Sequence, residues 1–278
     1  MQIKREDLAD RHIGGNKWRK LKYNLLQARE QQKNTLLTFG GAWSNHIYAT
    51  AAAGKYFGFH TIGIIRGEAH HSLTPTLQFA HDCGMQLEFI DRQTYRDRTS
   101  TQLLETLHKR HSDFYLLPEG GSNRLALKGC AEIVTGIESK FDVITVACGT
   151  GATLAGIISA LDAGQHATGF AVLKGADFLI DDVSRMLAVI EHPPADNWHI
   201  ELDCHFGGYA KTSPELIAFV RQFKSDFGIE LDAVYTGKMF YGLFELIKQG
   251  IFERGTRIIA VHTGGIQGNA GFPELIFD

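Results

Sequence analysis

DVITVACGTGATLAG, residues 142–156, reads as a buried strand, a glycine-rich turn and the opening of an apolar helix. From Val143 to Cys148 the run is apolar apart from Thr145, the pattern of a strand covered on both faces in a parallel sheet. Gly149, Thr150 and Gly151 interrupt it, and Ala152, Leu154 and Ala155 start a helix with Thr153 in its first turn. Such a strand–loop–helix junction presents backbone N–H groups to an anion, and Thr150 and Thr153 add hydroxyl donors. The glycine spacing matches neither GxGxxG nor GxxxxGK[ST], so dinucleotide and P-loop readings lack their required residues. A phosphate cradle is the natural use, with a purely structural turn as the competing reading.

The same alternation extends outward in both directions. β-rich runs occur at 35–40 (TLLTFG), 60–67 (HTIGIIRG), 86–90 (QLEFI), 114–121 (FYLLPEGG), 142–149, 166–175 (HATGFAVLKG), 232–237 (DAVYTG) and 257–265 (RIIAVHTGG). Helical patterns such as SNHIYATAAAGKYFG (44–58) and SPELIAFVRQFKSDFG (213–228) lie between most of them. Strands alternating with helices predict an α/β fold with largely parallel sheets, whose ligands meet the carboxyl ends of the strands. No repeat, low-complexity tract or Pro/Ser/Gly-rich linker divides the chain.

Composition narrows the function. A chain of 278 residues with 44% hydrophobic and 21% charged residues can build a full core. A net charge of −3 supplies no electrostatic footprint for nucleic acid or an anionic membrane, so a small-molecule partner is expected. Cys83, Cys130, Cys148 and Cys204 form no CxxC pair and read as thiols in a reducing compartment. The opening MQIKREDLADRHIGGNKWRK lacks a signal peptide's apolar run, and no stretch reaches the roughly 18 apolar residues of a membrane span, so a cytoplasmic location is expected. No HExxH occurs and His70-His71 sits in a polar segment, so no metal site is expected.

Chemistry-bearing residues cluster at strand ends and helix starts. In GGNKWRKL (14–21), two glycines and Asn16 precede apolar positions 18, 21, 25 and 28, predicting a helix capped by Asn16 with Lys17 in its first turn and Lys20 on the same face. An ammonium at a helix N-terminus is electrostatically unfavourable, which lowers its pKa and suits a nucleophilic amine. A lysine pair of this kind is ordinarily a solvated face; the glycine loop at 149–153 shifts the balance. In GGAWSNH (40–46), Gly40-Gly41 lets backbone approach a ligand, and Ser44, Asn45 and His46 at a helix start would hold a substrate carboxylate beside Trp43. Tyr235 with Thr236, and His262 with Thr263, fall at predicted strand ends, and Tyr209 precedes a helix.

Taken in order, KREDL (4–8), GGNKWRKL, GGAWSNH, PEGGSN (118–123), CGTGATLAG (148–156), GGYAK (207–211), VYTGK (234–238) and VHTGG (261–265) resemble one family along nearly the whole chain. It is the 1-aminocyclopropane-1-carboxylate deaminase / D-cysteine desulfhydrase family of fold-type II, tryptophan-synthase-β-like enzymes dependent on pyridoxal 5'-phosphate. The resemblance implies two open parallel-sheet α/β domains, a large cofactor domain from 1–23 and 126–278 and a small inserted domain at 24–125. It implies a Schiff base to Lys17 and a phosphate held by Lys20 with Gly149, Thr150, Gly151, Ala152 and Thr153. Asn45 would meet the pyridine 3'-oxygen, and Thr236 and Thr263 would lie near the ring nitrogen. Ser44, Tyr209 and Tyr235 would act on the substrate, with Trp43, Asn45 and His46 helping to bind it, in a homodimer. Thr236 stands where aminocyclopropane carboxylate deaminases carry Glu, Thr263 where they carry Leu, and Trp43 where many relatives carry glutamine. The chain is therefore similar to the desulfhydrase branch, implying α,β-elimination from a small amino acid to a keto acid and ammonia. The alternatives are ring-opening deamination and a non-catalytic cofactor-binding or regulatory homologue.

Overall fold

Apolar runs lie side by side in two parallel sheets in the computed structural model, which describes residues 1–69 and 72–276. His70 and His71 lie outside the described residues. Contacts divide the chain into two units, Met1–Lys20 with Asn123–Asp278, and Leu21–Ser122. The first unit begins with β1 (Gln2–Arg5), and the division falls inside α1 (Asn16–Glu30), after Lys20.

The second unit then runs through β2 (Thr35–Gly40), α2 (Asn45–Phe57), β3 (His60–Arg66), α3 (Pro75–Asp82), β4 (Gln86–Ile90), α4 (Arg92–Arg96), α5 (Thr101–His111) and β5 (Tyr115–Leu117). Its sheet has the order β4-β3-β2-β5, parallel throughout. Successive side chains of a strand point to opposite faces. Ile62 and Ile64 accordingly join Leu37, Phe39 and Tyr95 in one core, while Ile65 joins Ile47, Leu77 and Met85 in another.

The first unit resumes with α6 (Arg124–Thr135), β6 (Val143–Cys148), α7 (Ala152–Ile158), β7 (His166–Ala171), α8 (Phe178–Val189), β8 (Trp198–Glu201), α9 (Pro214–Phe227), α10 (Thr236–Lys248) and β9 (Ile258–His262). Its parallel sheet has the order β1-β9-β6-β7-β8. Ile144, Val146 and Cys148 of β6 pack in a core with residues of α6, α7 and α8, and Ala147 packs in a second core with residues of α9 and α10. Both faces are covered, which explains why β6 reads as a continuous apolar run. From β6 the chain steps one way to β7 and β8, whereas β9 and β1 lie on its other side. The carboxyl ends of β6 and β9 thus adjoin where strand order reverses, the place an open α/β sheet binds its ligand.

Three sequence expectations need correction. DAVYTG at 232–237 is not a strand: residues 233–235 form a turn and Thr236 opens α10. Its apolar core is only three residues, and the Asp232 carboxylate takes the N–H groups of Val234, Tyr235 and Thr236, bending the chain into the helix. FYLLPEGG shortens to β5, because Pro118 and Gly120, the latter at φ 64°, turn the chain into a 3-10 segment. β1 and β8 were not anticipated, being four-residue edge strands with polar faces.

α1 and α6 meet at a point that tolerates no side chain. A Cβ on Gly129 would lie 1.8 Å from the Arg19 carbonyl oxygen, while the Arg19 guanidinium bridges Glu6 at 2.8 Å and Glu132 at 2.9 Å. Gly129→Ala is expected to cost about 1–3 kcal/mol of stability, as overpacking does, and to lower the urea midpoint with no change in slope. An unchanged midpoint would show that the two helices separate freely.

Candidate functional site

The start of α1 is stitched to the sheet's carboxyl edge. Gly15 sits at φ 75°, and a Cβ there would lie 1.9 Å from the Thr263 carbonyl oxygen, so glycine is required on both conformational and steric grounds. The Gly15 N–H donates to the Glu6 carbonyl (2.8 Å) and the Asn16 N–H to the Thr263 carbonyl (3.3 Å). Glu6, itself buried, accepts from Arg19 at 2.8 and 3.1 Å. Lys17 therefore projects from a turn fixed by β1 and β9. Asn16 is the first residue of the helix and not its flanking cap: its amide donates across to Thr153 Oγ1 at 2.9 Å.

Lys17 and Lys20 share a helix face, as their spacing requires. Lys17 is half-buried, and its pKa is pushed down to about 7, first by loss of hydration and then by the positive charge of Lys20. Cys130 and Asp232 act against that shift. Lys20 is buried, which lowers its pKa too, and its Nζ lies 3.4 Å from Thr150 Oγ1. Beyond Thr150, Gly151 takes φ 75° and caps α7 without a side chain, so the first-turn N–H groups of Ala152 and Thr153 have no side-chain cap. An ammonium, two threonine hydroxyls and uncapped backbone N–H groups are all donors, a set that fits a phosphate dianion.

The Tyr235 ring covers this loop: a Cβ on Gly149 would come within 3.1 Å of its Cε1. Tyr209 meets Tyr235 edge to face, with centroids 6.1 Å apart. The first unit thus brings Lys17, Lys20, residues 149–153, Tyr235 and Tyr209 together. Thr236 is buried, with its hydroxyl donating to Asp232 Oδ1 at 2.7 Å and accepting from the Asp232 N–H at 2.9 Å. Its proton is committed inside the protein, so towards a ligand its oxygen can only accept. Thr263 follows β9, its carbonyl held by the start of α1.

Sequence reading missed Asp232. It is buried and accepts four hydrogen bonds of 2.7–2.9 Å, from the N–H groups of Val234, Tyr235 and Thr236 and the Thr236 hydroxyl. Burial raises its pKa while these donors oppose the rise. An Asp four residues before a helix-opening Thr was the available signal, obscured by the apolar residues between them. His262 was quoted only for its strand end. Its Nε2 lies 2.6 Å from the Glu230 carbonyl, and its Nδ1 lies 3.2 Å from the Gly264 nitrogen and 3.3 Å from Asp7 Oδ1, contacts that orient the ring.

On the second unit, Ser44 caps α2 by accepting the Ile47 N–H at 3.3 Å, Asn45 opens the helix, and Trp43 is exposed. His46 stands in the first turn of the same helix. Its side chain is buried with Nε2 2.8 Å from Thr38 Oγ1, and because that hydroxyl donates to the Leu117 carbonyl, His46 donates to it. Its Nε2 is engaged inside the unit, and its backbone stands at the helix start.

Residues 2–264 match the family described as "Pyridoxal-phosphate dependent enzyme". The chain is 35% identical over 292 residues to a putative 1-aminocyclopropane-1-carboxylate deaminase of Pyrococcus horikoshii, covering 99% of this chain and 87% of that protein. It is 34% identical to the mitochondrial bifunctional D-cysteine desulfhydrase/1-aminocyclopropane-1-carboxylate deaminase of Arabidopsis thaliana, covering 96% of this chain and 72% of that one. A crystal structure described as an ACC deaminase homologue superposes with a TM-score of 0.85 at 31% identity, covering 96% of this chain and 85% of the other. A pyridoxal 5'-phosphate-dependent aspartate racemase shares the fold at a TM-score of 0.68 and 16% identity, over 95% of this chain and 83% of its own.

Lys17 should be the most reactive lysine at neutral pH. In cofactor-free protein, trace acetylation across a pH series, read by peptide mass spectrometry, is expected to give half-maximal Lys17 reactivity near pH 7. Lys20→Met should move that midpoint upward by removing the repelling charge, while burial keeps it below the ordinary lysine value of 10.5. A midpoint near that value in the unsubstituted protein would contradict the burial of the amine.

Proposed function

The chain belongs to the pyridoxal-phosphate dependent enzymes, and we propose that within that family it eliminates a β-thiolate from a small amino acid of the D-cysteine kind. With D-cysteine the balance is one water consumed and pyruvate, ammonia and hydrogen sulfide formed. The observation that carries this reading is the lysine of depressed pKa, Lys17, standing beside a donor-rich phosphate cradle. The bound cofactor supplies an electron sink for the pair left behind at Cα.

The protein's own residues do the rest. Lys17 Nζ is the amine that carries the cofactor, and Lys20, Thr150, Thr153 and the first turn of α7 hold its phosphate. With a pKa near 7, a free Lys17 amine is substantially neutral at physiological pH and can take the Cα proton, which an ordinary lysine could not. Tyr235 and Tyr209, packed edge to face over the glycine loop, present hydroxyls to the substrate and exclude water from it. On the family resemblance, Ser44 and Asn45 at the start of α2 would take the substrate carboxylate, Asn45 would also meet the cofactor 3'-oxygen, and Trp43 would bound the substrate. Ala152 contributes its backbone N–H.

Thr236 and Thr263, assigned to the side of the ring nitrogen, are neutral, and Thr236, its proton held by Asp232, would stand near that nitrogen without donating to it. A carboxylate there would hold a proton on the ring and deepen the electron sink, whereas a hydroxyl does not, and a shallow sink favours a substrate with a good leaving group. Ring opening of 1-aminocyclopropane-1-carboxylate, which has no such group, ranks second and is supported by the names of the relatives. In the same reading the first unit is the large cofactor domain and the second the small one. A homodimer in the cytoplasm completes it, on the family resemblance and the free cysteines. Among the described residues no helix is long and apolar enough to cross a membrane.

Purified protein incubated with D-cysteine, L-cysteine, D-serine or 1-aminocyclopropane-1-carboxylate is expected to release pyruvate fastest from D-cysteine. Lys17→Ala should abolish the mass increment fixed by borohydride and lower turnover by at least about a hundredfold, as loss of a proton-transferring group does. No turnover of D-cysteine would remove the proposed substrate, and a cofactor-loaded protein inert towards all four would favour the non-catalytic reading.

A further inference from the structure

Tyr209 stands in a segment that cannot hold its shape unaided. Between β8 and α9, Phe206 (φ 53°), Gly207 (92°), Gly208 (122°) and Ala210 (55°) all lie on the left-handed side of backbone space. The two glycines tolerate that, but Phe206 and Ala210 are strained, and residues in such conformations persist only where their surroundings over-determine them. Part of the restraint is local: the Gly208 N–H donates to the His205 carbonyl at 3.0 Å and the Gly207 N–H to His205 Nδ1 at 2.9 Å. Phe206 also packs edge to face on Tyr241 of α10, with centroids 4.9 Å apart.

A further restraint is a lysine. Lys238, in the first turn of α10, is fully buried, and its Nζ donates to the carbonyls of His205 at 2.9 Å and Gly208 at 2.7 Å. An apolar side chain of equal length would fill the same volume without the cost of burying an ammonium, so its packing alone does not explain a charge here. Two carbonyls three residues apart on a strained loop do explain it: each already accepts one backbone N–H, from Gly208 and from Lys211, and a single ammonium bonds to both and fixes their separation. Burial pulls the pKa of Lys238 down to about 8, and Asp232, at the foot of the same helix, holds it up. The ammonium form therefore predominates at neutral pH.

We propose that Lys238 is a positioning residue, whose ammonium locks residues 205–210 in the conformation that sets the Tyr209 ring against Tyr235 and so acts on the substrate through Tyr209. The inference rests on the proposed reading that Tyr209 meets the substrate. Lys238 touches neither substrate nor cofactor in it. Its effect is transmitted by the peptide link between Gly208, whose carbonyl it holds, and Tyr209.

Lys238→Met keeps the stem and removes the donors. In the cofactor-loaded protein, amides of residues 206–211 are expected to exchange at least about tenfold faster with deuterium, while those of β9 keep their protection. The amount of cofactor fixed by borohydride should not change. With D-cysteine, kcat/KM should fall at least about tenfold, and Tyr209→Phe should cost markedly less in the Lys238→Met background than alone, since the two act as one unit. Lys238→Gln, which retains N–H donors, should lie between Met and the unsubstituted protein in both readouts and guards against a misfolded Met variant. Unchanged exchange at 206–211, or effects of the Tyr209 and Lys238 substitutions that simply multiply, would overturn the proposal. Should the unsubstituted protein turn over no amino acid, the proposed reaction falls, and the exchange comparison alone decides whether Lys238 anchors the loop.

Discussion

A backbone contact with no room for a Cβ governs the first unit: Gly15 against the carbonyl of Thr263. Through it the amino end of α1 and the carboxyl end of β9 occupy one another's space, and the neighbouring hydrogen bonds from Gly15 to Glu6 and from Asn16 to Thr263 leave the junction a single arrangement. The parallel register of Arg5 opposite His262 brings the end of β1 to the same place. Lys17 follows two residues later, so its amine is located by the sheet rather than by a mobile loop. Chemistry that depends on an amine placed to within about half an ångström needs that kind of support.

How much of this could be read from the chain alone depends on the distance over which each feature acts. The shared face of Lys17 and Lys20 is a property of three residues of helix, and the loop at Gly149–Thr153 is a property of one strand end, so both were visible in local spacing. Lys238 was quoted in VYTGK and passed over because its two partners are 33 and 30 residues away and are backbone carbonyls, which no side-chain pattern announces. His46 shows the same dependence on distance. Position on a helix start was legible, but the direction of its ring is decided by Thr38 on β2, whose own proton is already committed to Leu117.

Asp232 shows a local rule defeating another local rule. Ala233, Val234 and Tyr235 have strand-like composition, yet a carboxylate one residue upstream can satisfy the free N–H groups of a helix start, and four hydrogen bonds outweigh the preference of three apolar residues. The outcome moves Tyr235 and Thr236 from a strand end to a helix start. It also reverses the role of Thr236, whose hydroxyl proton is turned inward.

The protonation state of Asp232 then bears on Lys17. Three of the four groups that contact its carboxylate are backbone N–H groups, which cannot accept a hydrogen, and the ionised form is the one this donor set fits even as burial raises the pKa. A fixed negative charge buried in the first unit raises the affinity of both Lys17 and Lys238 for their protons, against the desolvation that lowers it. Were that charge in direct contact with Lys17, the amine would remain an ammonium and could neither attack a carbonyl nor accept a proton. Were it absent, Lys17 would lie further below its ordinary pKa and become a weaker base. The carboxylate instead spends its lone pairs on the helix start and reaches Lys17 only through space, which leaves the amine near pH 7, where both of its forms are available.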